Sequence, residues 1–249
     1  MNTVQPTGYF SRKYKEKQDL GVKERHERER EAVSGAILDA ARELFVTHGY
    51  QEVSIRKIAD KIEYSPAAIY SYFPSKDDIF FALANEGFRL LLTYADEVKV
   101  TPSDPVDELR QMFLRYYEFS REYPEHFALM FLDRTVPKIR DNWERFGSLA
   151  QLKVESTERI ARLVESGAIP GGTNAHAVFR LLLTAAHGAA VLRLCDRLEP
   201  GEDGNALARA AIDAVLIGLG HGAGRNLPTP SGPLCEPVHS ISEDTRHDS

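Results

Sequence analysis

Cysteine is scarce in this chain of 249 residues: only Cys195 and Cys235 occur, far apart in sequence. Such a pair gives no disulfide framework and reads as a protein of the reducing cytoplasm. Long apolar runs are missing as well. The longest candidate, 181–192, is flanked by Arg180 and Arg193 and interrupted by His187, short of the ~20 residues that span a bilayer. The first residues show no apolar signal-peptide core, so no membrane partner is expected. Enzyme signatures are absent too: there is no Gly-x-Ser-x-Gly, no Gly-x-x-x-x-Gly-Lys and no His-Glu-x-x-His. His176 and His187 fall on one helical face, but eleven residues separate them by roughly 16 Å, too far to share a metal. No catalytic residue, metal site or cofactor is therefore expected.

Positive charge is also in deficit, with 31 Lys+Arg against 37 Asp+Glu and a net charge of −6. The deficit is uneven. Residues 1–76 hold thirteen basic and eleven acidic residues, leaving eighteen and twenty-six for the remainder. The acidity lies in the C-terminal body, where it either solubilises the surface or repels polyanions. Hydrophobic residues make up 43% of the chain, enough for a real core.

The most informative stretch is Ser54 to Lys76. Ile55, Ile58, Ala59 and Ile62 follow the 0, 3, 4, 7 spacing of a helix with one buried stripe. Ser65-Pro66 then opens a second short helix, the serine accepting from an orphan N–H and the proline sitting where no N–H is needed. Ile69, Tyr72 and Phe73 face inward, leaving Pro66, Ala67, Ala68, Tyr70 and Ser71 outward or half outward. Two helices joined this tightly form a helix-turn-helix whose second helix has a flank small enough for a DNA major groove. A helix before them, about Ala32 to His48, carries Ile37, Ala41, Leu44, Phe45 and His48 on one stripe and stops at Gly49.

These residues resemble the DNA-binding domain of the TetR family of transcriptional regulators. The resemblance is carried by Ile37-Leu38-Asp39-Ala40-Ala41, Leu44-Phe45, Gly49-Tyr50, Ser54, Ile58-Ala59, Ser65, Ile69-Tyr70-Ser71-Tyr72-Phe73 and Ser75-Lys76, in one register. It implies phosphate contacts from Ser54, Tyr70, Tyr72 and Lys76. Ala67, Ala68 and Tyr70 are candidates for base edges or thymine methyls, with Arg56 and Lys57 adding charge. Ser65, Pro66 and Ser71 complete the DNA-facing set. The family has Ala-Gly-Val in the turn where this chain has Ile62-Glu63-Tyr64, and a lysine or glycine where it has Pro66 and Ala67. If the turn here still needs a left-handed backbone at Glu63, a non-glycine residue there costs roughly 1–2 kcal/mol.

The expected fold class is all-α, an N-terminal helix-turn-helix domain at 31–76 followed by a helical effector-binding and dimerisation domain at 77–222. Residues 1–30 read as a flexible arm or as a helical extension, either solvated or reaching a minor groove. Residues 223–249 read as a disordered tail. Within the body, helices are expected from Ser75 to about Val98, from Asp104-Pro105, from Pro124, over about 141–166, over about 174–197 and over about 205–220. Ala185, Ala186, Gly188, Ala189 and Ala190 on the eighth helix, and Ala210, Ala211, Ala214 and Gly218 on the ninth, suit a homodimer interface through the last two helices, which the resemblance implies; intrachain packing is the alternative. Tyr123-Pro124-Glu125-His126-Phe127, Met130-Phe131 and His187-Gly188 are similar to the WHG class of TetR C-terminal domains, with Ala186 where that class has tryptophan.

The reading that follows is a regulator, a repressor released from a palindromic double-stranded DNA operator by a small apolar effector. Candidate ligand-binding residues are Met112, Phe113, Tyr116, Phe127, Met130, Trp143, Leu183 and His187, each of which also suits a plain core position. The rival reading is a helical ligand-binding or hydrolytic protein that keeps a helix-turn-helix core without binding DNA.

Overall fold

The computed structural model describes residues 8–97, 105–225 and 227, with side chains from Lys23 onward except those of residues 96, 105 and 140. Residues 1–7 of the expected arm, Val98, Asp104 and nearly all of the expected tail lie outside the described residues. Among the described residues there are helices and no strands. The chain forms two compact units, residues 1–79 and 80–249.

The first unit contains α1 (Gly8–His48), α2 (Ile55–Lys61), α3 (Pro66–Tyr70) and the start of α4 (Lys76–Asp96). Helix α1 begins at Gly8 rather than near Ala32, so the segment read as a loose arm is helical from residue 8, the extension alternative. Its composition explains this, because Lys, Glu, Arg and Gln are strong helix formers. Glu29 also pairs with Arg25 at 4.0 Å and lies 3.7 Å from His26, one turn back. Gly49 ends the helix with φ +78°, a backbone that a Cβ would strain.

Ile37, Ala40, Ala41 and Phe45 from α1 meet Tyr50, Val53, Ile55, Ile58, Ala59 and Ile69 in a core where every one of these side chains is buried. His48, expected on the inward stripe, is exposed; it is the last helical residue, where the chain already turns away. In the turn after α2, the Ile62 and Tyr64 N–H groups donate to Ala59 O at 3.2 and 2.9 Å. Glu63 sits between them at φ +60°, so the turn does need the left-handed backbone at this position.

The second unit holds most of α4 together with α5 (Pro105–Glu122), α6 (Pro124–Phe131), α7 (Gly147–Glu165), α8 (Ala175–Leu194) and α9 (Gly204–Gly220). Helices α8 and α9 pack on each other, α5 lies against both, and α7 covers α8. Arg110 on α5 donates to Asp213 on α9 at 2.6 Å. Helices α4 and α6 approach so closely that a Cβ at Gly87 would overlap the Met130 sulfur. The helix expected over 141–166 is broken: a 3-10 segment, Ile139–Arg145, precedes α7, and Phe146 between them has φ −117° and ψ 64°. That break lets the fully buried Phe146 ring meet Phe81 and Phe88 edge-on, at 5.8 and 5.6 Å between centroids.

Helix α8 is long and apolar enough to cross a bilayer by length and composition alone, which the broken apolar run in the sequence did not suggest. Here it packs among α5, α7 and α9. The small residues divide between two faces: Ala186, Ala189 and Ala190 are buried within the chain, while Gly188, Ala210 and Ala214 are exposed.

Replacing Glu63 by glycine is expected to relieve the left-handed strain against some added unfolded-state entropy. Urea denaturation should show a net gain of about 0.5–1 kcal/mol in the Glu63→Gly variant. A loss would contradict the turn geometry.

Candidate nucleic-acid interface and ligand cavity

A five-residue helix makes few of its own hydrogen bonds, and α3 is held by caps. Ser65 Oγ accepts from Ala68 N–H at 3.1 Å, Pro66 occupies the first turn, and Ser71 Oγ donates back to Ala68 O at 2.6 Å. Ile69 is the fully buried anchor. The opposite flank is open: Ser65, Pro66, Ala67 and Ser71 are exposed, Ala68 is half-buried and Tyr70 is 53% exposed. No residue between Ser65 and Ser71 carries a charge, so this flank offers shape and methyl groups rather than Coulomb attraction.

Charge comes from α2. Ser54 caps that helix by accepting from Lys57 N–H at 3.2 Å. Arg56 has 82% of its side chain exposed and lies 4.0 Å from Asp60, a contact too exposed to restrain it much. Lys57 Nζ donates to Glu52 O at 2.7 Å and stays at the surface.

Tyr72 and Lys76 are less free. Tyr72 is half-buried beneath the Arg30 guanidinium, 5.4 Å from the ring centroid. Lys76 Nζ donates to Tyr50 O at 2.9 Å and sits 4.1 Å over the Tyr50 ring. The Tyr50 hydroxyl donates to Asp77. Burial and that carboxylate push the Tyr50 phenol well above its usual range, so it stays a donor. Lys76 and Asp77 thus clamp the first turn of α4 to the end of α1, with two ammonium protons left for a phosphate. Ser75 and Asp78 complete the start of α4: Ser75 Oγ accepts from Asp78 N–H at 3.1 Å and donates to the Asp78 carboxylate at 2.6 Å.

In the second unit a cavity of about 540 Å³ of atom-free space, counting its open mouth, lies among α4, α5, α6, α7 and α8. Of the eight candidates named from sequence, Met112, Phe113, Tyr116 and Leu183 line it. Phe127, Met130 and His187 stand behind the wall: His187 stacks on Phe127 at 5.4 Å and its Nδ1 lies 2.8 Å from the Tyr116 hydroxyl, and Met130 is buried against Gly87. Trp143 is elsewhere: it belongs to the 3-10 segment before α7 and, with Gly147, Ala150 and Val154, lines a surface groove. The missed lining residues include Phe88, Leu91 and Ala95 on α4 and Leu149, Leu152 and Ser156 on α7. Nothing in the sequence marks a gap beside these residues.

Burial holds the His187 imidazole below its ordinary pKa, with a smaller push from Arg180. The ring is therefore neutral at pH 7. Burial also raises the Tyr116 phenol far above its usual range. With both neutral and imidazole nitrogen the better acceptor, Tyr116 donates to Nδ1 and the ring proton sits on Nε2.

Comparison with known proteins gives two family matches. Residues 37–83 match the family described as bacterial regulatory proteins, tetR family, and residues 109–215 match the family described as Tetracyclin repressor-like, C-terminal domain. The HTH-type transcriptional repressor AcnR of Corynebacterium diphtheriae is 27% identical over 128 residues, 51% of this chain and 64% of that protein. The HTH-type transcriptional regulator RutR of Escherichia coli O157:H7 is 27% identical over 158 residues, 62% of this chain and 72% of RutR. The chain spans less than two thirds of the length of AcnR, and 35% of another curated relative. Among solved structures, the fatty acid degradation regulator FadR from Bacillus halodurans superposes with a TM-score of 0.61 at 17% identity, covering 75% of this chain and 95% of that one; it shares the fold.

The clamp at Tyr50 is open to a direct check. Lys76→Ala should lower stability by about 1–2 kcal/mol and Tyr50→Phe by about 1 kcal/mol, read as shifted urea midpoints with unchanged slopes. Midpoints like that of the parent protein would show that the clamp contributes nothing in solution.

Proposed function

Because the chain belongs to the TetR family of bacterial regulatory proteins, we propose that it is a cytoplasmic, sequence-specific DNA-binding repressor, released from its operator by a small apolar effector. The observation that carries this reading is the flank of α3, where a single buried isoleucine leaves small side chains turned to solvent. A major groove admits a helix of this kind, with base contacts giving sequence and phosphate contacts giving register. Ala67, Ala68 and Tyr70 meet base edges. Ser54, Arg56, Lys57, Ser65, Pro66, Ser71, Tyr72 and Lys76 sit along the backbone, where Arg56 and the two lysines supply the salt-dependent part of the affinity.

The chain acts as a homodimer through the outer faces of α8 and α9. Support comes from Gly188, Ala210 and Ala214 at the surface, with Leu192 41% and Ile217 65% exposed beside them. Such apolar exposure on two packed helices favours association. Two-fold symmetry then calls for a palindromic operator with half-sites about 34 Å apart. The effector enters the cavity in the body and binds the non-DNA-binding state more tightly; release by a ligand typically needs ~1–3 kcal/mol of coupling. AcnR is a repressor by name, which supports the direction of control, and the apolar lining of the cavity supports the apolar nature of the ligand. No catalytic step is assigned.

Selection of bound fragments from a random duplex pool tests the reading. The purified protein should enrich a palindrome, and indifference to sequence would favour a helix-turn-helix core without DNA function. Against the enriched operator, Ala67→Glu should abolish binding while leaving the melting temperature unchanged. Arg56→Ala should reduce the slope of log K against log salt by about one without altering the preferred sequence.

A further inference from the structure

We propose that the cavity of the second unit selects an uncharged lipophilic alcohol over the corresponding carboxylate, an inference that rests on the ligand-controlled reading above and assigns the class of its ligand. None of the twelve lining residues carries a charge, and ten of them are alanine, leucine, methionine or phenylalanine. The two exceptions are Tyr116 and Ser156, and both have spent their protons inside the protein. Ser156 Oγ donates to Leu152 O at 2.6 Å, and the Tyr116 hydroxyl donates to His187 Nδ1 at 2.8 Å. What remains on each oxygen is acceptor capacity.

An ionised carboxylate only accepts, so in this cavity it meets lone pairs and hydrocarbon and loses its water without compensation. A ligand hydroxyl donates to either oxygen and leaves the rest of its molecule against Phe88, Leu91 and Phe179. Among the twelve lining residues there is no cation to reverse this preference. His187 behind Tyr116 is neutral at pH 7, its pKa lowered by burial. Arg159, one turn along α7 from Ser156, lies outside the lining, its Nη1 3.6 Å from the carboxylate of the buried Glu108.

Calorimetric titration of the full chain with 1-dodecanol, dodecanoate and 1-methoxydodecane at pH 8, without DNA, tests this. Dodecanoate is fully ionised there. The alcohol should bind at least tenfold more tightly than the carboxylate and more tightly than the ether, which lacks a donor. The combined Ser156→Ala and Tyr116→Phe variant should lose the distinction between alcohol and ether. Ala95→Phe, or Leu183→Trp should the first fail to fold, should abolish alcohol binding by filling the cavity. Equal or tighter binding of dodecanoate, no binding of the alcohol, or alcohol binding that survives a folded cavity-filling variant would each overturn the proposal. Because these measurements contain no DNA, a ligand of this class that binds but does not release the operator would leave the proposal standing and remove only the release step.

Discussion

A helix of one and a half turns does not persist in water, since nucleation is unfavourable and too few backbone bonds follow to repay it. Everything the first unit does depends on this being overcome for α3. The burial of Ile69 supplies the anchor, and Ser65 and Ser71 satisfy backbone groups at its two ends. With so little of the helix needed to hold it, the rest of its surface is left uncommitted. The same economy explains why the outward residues are small: a bulky flank would have to be buried or would block close approach to another surface.

The positive-φ turn at Glu63 and the Tyr50 clamp work toward the same end from outside the helix. The turn directs the chain from α2 into the Ser65 cap. Lys76 and Asp77, through Tyr50, fasten the segment that follows α3 to the end of α1. The short helix is thereby fixed at entry and exit by groups whose geometry does not depend on its own exposed residues. Variation along the flank is therefore separable from folding.

The second unit solves a different problem. Its aromatic side chains are numerous enough to pack edge-on around Phe88 and Phe146, yet the five helices leave a space between them that these rings do not fill. The hydroxyls of Tyr116 and Ser156, each turned to an internal acceptor, leave the wall almost without free donors. The cavity is thus defined as much by the hydrogen bonds withdrawn from it as by the apolar groups that line it.

The limits of local information fall at definite residues. Periodicity and caps located Ile58, Ile69, Ser54 and Ser65 correctly, because a helix stripe and an N-cap depend on neighbours a few positions away. The same stripe logic puts Met112 and Phe113 at the cavity and, on the same pattern, Phe127 and Trp143, which the fold places behind the wall and in a surface groove. Charge-rich composition did not distinguish a loose arm from the helix that α1 continues into. What the chain decided by itself was which segments coil, where the capped helices begin, and which residues of the short helices turn inward. Which inward residues meet a partner and which meet empty space was decided only when the helices crossed, since a gap belongs to the angles between elements and to no single one of them.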